Sequence, residues 1–183
     1  LGLTFVAFGF LPDQVMHLSL ATALAAIVLA TASGAREHLA HGAVRLDIVK
    51  GLAPGIALAG LAAGAIARLA PVALLKYFFL AFVCYVTFSI LAGVKPKSSR
   101  PLPGLAGLFG VGSLVGGLSG LAGVGGAMIS IPFMTWWGVP FRTAVGTSAA
   151  ISFVVAVAGT IGYVVAGWTE AGLPPWPIGY VYV

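Results

Sequence analysis

Charged residues are scarce in this sequence of 183 residues. Only 7% of them are Asp, Glu, Lys or Arg, against the roughly 25% that is usual in soluble domains, and 60% are hydrophobic. A water-soluble globule could not hide so much apolar surface. Several apolar runs approach or exceed the roughly 18 residues of a membrane-spanning helix, and the period-two alternation of a membrane barrel is weak. The sequence therefore predicts an all-α, polytopic helical membrane protein.

Acidic residues are the scarcest charged type. There are four, all in predicted loops: Asp13, Glu37, Asp47 and Glu170. Carboxylates buried inside membrane helices usually mark proton relays or cation sites. Their absence from the predicted spans argues against a carboxylate-coupled cation transporter and is compatible with a path for anions.

Residues for catalysis or metal binding are also sparse. Cys84 is the single cysteine, so neither a disulfide framework nor a thiolate metal site is expected. His38 and His41 stand three residues apart, but no further ligand accompanies them. No nucleophile with a base is visible at membrane depth, so we predict no enzyme, no metal and no cofactor. The net charge of +5 comes from scattered basic residues, which argues against nucleic-acid binding.

A polar, proline-containing linker divides the chain. It covers residues 94–103, VKPKSSRPLP, and separates a first repeat at 1–93 from a second at 104–183. Its basic residues, and the basic excess over residues 35–50, place both segments on the cytoplasmic side. We therefore predict a multi-pass protein of the cytoplasmic membrane. Because both chain ends are abrupt, we expect the first repeat to be truncated N-terminally and the second C-terminally.

Apolar runs predict helices at residues 15–34, 51–69, 72–93, 105–122, 127–137 and 143–166. The fifth would be about 16 Å long, too short to cross a hydrocarbon core of about 30 Å. We predict it as a half-helix or re-entrant arm.

A sparse internal match supports the two repeats. Setting Ala21-Thr22-Ala23 against Gly146-Thr147-Ser148 also aligns Gly34 with Gly159. Transporters are commonly built from such repeats, with the site at the repeat interface. The repeats are inverted if residues 105–137 fold back and parallel if they cross once. The loop after residue 166 contains no basic residue, which favours the inverted arrangement.

The apolar run at residues 115–148 is interrupted by glycines and then by a proline: Gly116, Gly117, Gly120, Gly123, Gly125, Gly126 and Pro132. Inside a bilayer, the backbone groups freed by a helix break need other partners, so the break must be buried in protein or line a wet cavity. The stretch is therefore the candidate binding site. The alternative is that glycine here only permits a sharp turn and tight packing.

The predicted substrate-binding residues are those of the break and of two helix starts: Gly123, Val124, Gly125, Gly126, Pro132, Thr147, Ser148 and Thr22. Backbone N–H groups at a break offer partial positive charge to an anion without a charged side chain. The hydroxyls at a helix start either cap the helix or reach an oxyanion.

These pieces resemble the sulfite exporter TauE/SafE family of membrane permeases. The resemblance rests on GLAGVGGAMISIPFM at 120–134, WGVPFRTAVGTS at 137–148 and MHLSLATALAAIVLATASGAREHLAHGAV at 16–44. The family often has three consecutive glycines where this chain has Gly125, Gly126 and an alanine. In the first copy, Ala21 and Ala23 replace the expected glycine and serine.

The resemblance implies a permease for small anions such as sulfite, an organosulfonate or a related organic anion. We expect alternating access around the broken helix, with a small anion and the lipid bilayer as partners. A non-transporting membrane subunit and an intramembrane enzyme are the alternatives, and homo-oligomerisation is left open.

Overall fold

Helices make up nearly all of the described chain, because a helix satisfies its own backbone polar groups in an apolar environment. The computed structural model describes residues 12–91, 102–168, 177–178 and 180–182. The helices are α1 Pro12–Ala40, α2 Leu46–Leu69, α3 Val72–Leu91, α4 Leu105–Ala122, α5 Ala127–Trp136 and α6 Phe141–Gly167. A short antiparallel hairpin follows, formed by β1 Pro177–Ile178 and β2 Val181–Tyr182. The all-α prediction is confirmed.

Four helices of the described residues are long and apolar enough to cross a membrane: α1 from Val15 onwards, α2, α4 and α6. This supports a multi-pass membrane protein. α5 has 10 residues, about 15 Å of helix, as expected for a half-helix. That residues 72–93 cross the membrane stays a prediction. The location of the protein in the cytoplasmic membrane stays a prediction as well.

The polar segment at residues 35–50 was expected to be a loop, but the loop is shorter than predicted. α1 continues to Ala40 and α2 begins at Leu46, so the connection covers only residues 41–45, here called the α1–α2 loop. Long charged side chains at the ends of membrane helices can reach the interface, so polarity alone did not end either helix.

The predicted loop positions of the acidic residues change accordingly. Asp13 and Asp47 are the second residues of α1 and α2, and Glu37 lies in the last turn of α1. All three still lie at helix ends. Glu170 is outside the described residues.

α2 lies between α4 and α6, and its contacts with both are unusually close. A Cβ atom on Gly116 of α4 would lie 2.6 Å from the carbonyl oxygen of Ile56. A Cβ atom on Gly162 of α6 would lie 2.5 Å from that of Leu61. The backbones therefore touch where a side chain would not fit, as is typical of small-residue packing between membrane helices. We call these three helices the glycine-packed block.

The three helices of this block run in the same direction. Successive contacts between α2 and α4 pair Leu52 with Gly112, Ile56 with Gly116 and Ala63 with Gly120. Those between α2 and α6 pair Gly60 with Ala158 and Gly64 with Gly162. Because the residue numbers rise together in both series, all three helices begin at one end of the bundle. We call it the loop end, since the α1–α2 loop lies there as well.

α1 runs in the opposite direction. Near its start, Nε2 of His17 lies 2.8 Å from the carbonyl oxygen of Ala67, near the end of α2. The loop after its end meets Gly146, near the start of α6. α1 and α6 are thus antiparallel, as inverted repeats require. The division at 1–93 and 104–183 itself stays a prediction.

Candidate binding site at the break between α4 and α5

α4 ends at a glycine in the left-handed conformation. Gly123 has φ 66° and ψ 31°, which residues with a side chain rarely adopt. Its N–H donates to the carbonyl of Gly120 at 3.3 Å, and the N–H of Val124 donates to that of Ser119 at 3.0 Å. This pair of bonds is a Schellman closure, which satisfies the last carbonyls of a helix. The helix is therefore broken within the predicted glycine-rich stretch.

After the break, α5 returns towards the loop end. A Cβ atom on Gly126 would lie 3.0 Å from side-chain carbons of Val115 and Val155, near the middle of α4 and α6. Further along α5, Met134 packs in the same buried cluster as Ala144, near the start of α6. The chain from α4 to α5 therefore folds back instead of crossing once. As a result, α5 begins about half-way along the bundle, directly after the buried Gly126.

The start of α5 has N–H groups without backbone acceptors. The first N–H groups of any helix lack an intrahelical partner, and the helix dipole places about half a positive charge there. In α5 the first N–H groups that donate to a backbone carbonyl are those of Ile129 and Ser130, and both donate to the carbonyl of Gly126. Within the described residues, the N–H groups from Gly125 to Met128 donate to no backbone carbonyl. The first turn of α5 contains no acidic residue.

A buried hydroxyl faces this helix start. Ser152 of α6 is 3% exposed, and its Oγ lies 3.2 Å from the position that a Cβ atom of Gly125 would occupy. Within the described part of the chain this hydroxyl has no hydrogen-bond partner. A serine in a helix usually bonds to a carbonyl of the preceding turn, and a buried unpaired hydroxyl costs about 1–3 kcal/mol. Ser152 therefore presents an unused donor to the break.

Two further buried serines lie near the break, each one helical turn from Gly126 or from a residue that contacts it. Ser119 follows Val115 by one turn of α4, and Ser130 follows Gly126 by one turn of α5. Both are fully buried, and neither hydroxyl has a hydrogen-bond partner among the described residues. Three helices thus bring unpaired hydroxyls to the surroundings of a helix start. None of these serines was predicted from the sequence.

Residues 1–183 match the profile of the family described as sulfite exporter TauE/SafE. This chain belongs to the TauE/SafE family. The resemblance found in the sequence is confirmed.

A curated TauE/SafE relative is named as a probable membrane transporter protein of Haemophilus influenzae. It is 28% identical over 173 residues, which are 92% of this chain and 64% of the relative. The chain thus spans less than two-thirds of that protein. Both names describe a transport protein rather than an enzyme. No solved structure gives a significant match.

The hydroxyls of the Gly-Thr-Ser motif of this TauE/SafE chain do not cap a helix. α6 begins at Phe141, two residues before the predicted start, so Thr147 and Ser148 lie in its second turn. The Thr147 Oγ1 accepts a hydrogen bond from the N–H of Arg45 at 2.9 Å. The Ser148 Oγ donates to the carbonyl of Val145 at 2.7 Å. Phe141 can be the first helical residue because Pro140, with φ −55° and ψ 139°, has the extended backbone of a residue that precedes a helix.

The sequence suggested that Pro132 interrupts a helix, and this was wrong. It lies inside α5, which continues to Trp136, and its own side chain is exposed. Its missing N–H leaves one helical bond unmade without breaking so short a helix. The interruption is the segment from Gly123 to Gly126 alone.

Thr22 is not brought to the break. α1 faces the break through Leu20, which approaches Gly123, and Ile27, whose Cγ2 would lie 3.9 Å from a Cβ atom on Gly125. At about 100° per residue, Thr22 points to the other side of α1. Of the predicted residues, Gly125 and Gly126 are therefore the ones near Ser152 whose N–H groups donate to no backbone carbonyl of the described residues.

A charged pair lies at the loop end. Arg45 Nε donates to Asp47 Oδ1 at 2.8 Å, and Arg45 Nη2 bonds to Oδ2 of the same carboxylate. The hydrogen bond to Asp47 raises the pKa of Arg45, so the guanidinium stays charged.

The described residues contain no group of three or more His, Cys, Asp or Glu that could hold a metal ion.

Proposed function

We propose that this protein transports a small anion across the membrane and that the anion binds at the start of α5. The observation that carries the proposal is the hydroxyl of Ser152, which is buried, has no partner among the described residues and lies beside Gly125. An unused donor beside unused N–H groups is a site for an acceptor. The positive end of the α5 dipole favours an acceptor with negative charge.

The available donors suit an oxyanion such as sulfite or an organosulfonate. Its oxygens can accept bonds from the N–H groups of Gly125 and Gly126 and from the Ser152 hydroxyl at the same time. These donors carry only partial charges, so the anion is held without being trapped by an ionised side chain. That balance is what a transporter needs, because its substrate must leave as well as bind. The family's name supports sulfite as the substrate, and the relative's name supports transport as the activity.

We propose further that access alternates by movement of α1 against the glycine-packed block. Within the block, backbones are in contact, so the helices have little freedom to slide. α1 instead closes over the break mainly with side-chain atoms of Leu20 and Ile27, and its Leu20 Cα would lie 3.1 Å from a Cβ atom on Gly123. Contacts between side-chain ends can re-form after a small shift, as in hinge and shear motions.

Replacing Ser152 tests the site. We expect Ser152→Ala to raise the KM for sulfite flux into proteoliposomes about tenfold, since one hydrogen bond to a charged ligand is lost. Thermal stability should be unchanged or higher, because the change removes an unpaired buried hydroxyl. Methanesulfonate and chloride as competitors would separate oxyanion recognition from general anion binding.

The matched control is Ser113→Ala in α4, whose hydroxyl already donates to the carbonyl of Phe109 at 3.0 Å in its own helix. It should leave the KM unchanged. Equal KM values for both variants and the unmodified protein would exclude Ser152 from the site. Absence of sulfite flux in the unmodified protein, together with a partner that always co-purifies, would favour a membrane subunit instead.

A further inference from the structure

The α1–α2 loop is fastened to the second turn of α6. A Cβ atom on Gly146 would lie 2.5 Å from the carbonyl oxygen of Ala43, so the loop backbone rests directly on this glycine. The next residue, Thr147, is fully buried and accepts the N–H of Arg45. The main chain of Arg45 is therefore held at a fixed place on α6.

That place is close to the break. Thr147 and Ser152 are five residues apart on α6, which is about 7.5 Å along the helix axis. Ser148 lies one turn before Ser152 on the same face, so hydroxyls follow this face from the loop end to the break. The main chain of Arg45 is anchored at Thr147, about 100° around α6 from Ser148, so its side chain starts beside the outer end of this face.

The guanidinium of Arg45 is currently occupied by a carboxylate. Asp47 takes two of its donors, and the side chains of the pair are 44% and 59% exposed. Ion pairs so open to water contribute little to stability and are readily exchanged. The fork of donors fits any planar or pyramidal oxyanion as well as it fits a carboxylate. Asp47 thus occupies the position that an arriving oxyanion would take.

We propose that Arg45 is a second, outer anion-binding residue and that Asp47 competes with the substrate for it. This inference rests on the proposed function. An oxyanion displaces Asp47 from the guanidinium, is held at the outer end of α6, and then passes to the donors of α5. Other charged residues lie at the same end of the bundle: Lys50 is one turn along α2, Arg142 is the second residue of α6, and Glu37 pairs with His41 at 3.4 Å.

Three variants of the protein in proteoliposomes test this inference with sulfite. Arg45→Gln keeps the N–H that Thr147 accepts but removes the charge, and should raise the KM about tenfold with little change in the maximal rate. Asp47→Asn removes the competitor and should lower the KM about threefold. The control Arg36→Gln removes the same charge from the exposed end of α1 and should change the KM less than twofold.

Opposite effects at Arg45 and Asp47, with Arg36→Gln near the unmodified protein, would support the outer site. Equal effects of Arg45→Gln and Arg36→Gln would mean a diffuse surface potential and would overturn it. A raised KM in Asp47→Asn would do so too, because Asp47 would then support Arg45 and not compete. If Ser152→Ala weakens sulfite transport while the Arg45 effect is absent, only this inference fails. No sulfite flux in any form would refute the proposed function itself.

Discussion

The individual residues that define the site are notable for the partners of their hydroxyls. Ser148 bonds within its own helix, Thr147 bonds to the α1–α2 loop, and Ser152, one turn beyond Ser148, bonds to nothing among the described residues. Neighbouring hydroxyls on one helix therefore have different tasks. The first is local, the second joins two segments, and the third is the one that we propose to bind the anion.

The joining role of Thr147 can be tested by stability. Thr147→Val keeps the side-chain shape but removes the acceptor, leaving the N–H of Arg45 unpaired. We expect a loss of about 1–3 kcal/mol in unfolding free energy, measured by denaturant titration in detergent. Ser148→Ala, which removes only a bond within α6, should stay within about 0.5 kcal/mol of the unmodified protein. A loss of equal size in both variants would contradict a joining role for Thr147.

Among the elements, α5 gives the site its depth, because its start lies beside the middle of α4 and α6. Its position depends on the absence of side chains at the break: a Cβ atom on Gly125 would lie 3.2 Å from the Ser152 hydroxyl. That atom would stand where the anion is proposed to bind. Glycine is therefore needed here for space, in addition to the turn at Gly123.

Gly125→Ala tests the need for this space. We expect sulfite flux to fall at least tenfold, while membrane insertion and helix content measured by circular dichroism remain. Gly117→Ala is the matched control, since its Cβ atom would meet Ala59 at an ordinary 3.7 Å. Normal flux in Gly125→Ala would remove this position from the binding site.

The sequence predicted elements better than it predicted partners. The bounds of α4 and the short length of α5 followed from glycine and from the length of the apolar run, because both act locally. The early start of α6 was missed, since Phe141 and Arg142 look like loop residues unless Pro140 is taken as a helix start. Ser152 was missed for another reason. Serine in an apolar helix usually bonds to its own backbone, and the sequence shows neither that this one does not nor that the break lies beside it. The spacing of Ser148 and Ser152 was the available signal.

For the whole molecule, the central distinction is between the glycine-packed block and α1. Close backbone contacts join α2 to α4 and α6, while α1 meets α6 through larger side chains, as where Leu24 approaches Gly159. In the proposed mechanism, the block is the rigid part and α1 is the part that shifts, as alternating access requires.

Disulfide cross-links can test the movement. In a Cys84→Ser background, Leu24→Cys with Gly159→Cys would join α1 to α6, and oxidation should stop sulfite flux until a reductant is added. Gly60→Cys with Ala158→Cys would join α2 to α6 inside the block, where the Cβ atoms would be 3.0 Å apart. Oxidation of that pair should leave the flux at the level of the same variant in its reduced form. The reverse result, with flux lost only through the α2–α6 link, would place the motion inside the block.

Because α5 starts about half-way along the bundle, the membrane potential should affect binding there. A membrane potential of 100 mV is worth about 2.3 kcal/mol for one elementary charge carried all the way across. A monovalent solute travelling from either surface to a position half-way through would experience about half of that drop. Occupancy would then vary with voltage even though no charged side chain moves, and the cell's own potential would favour filling the site from one face.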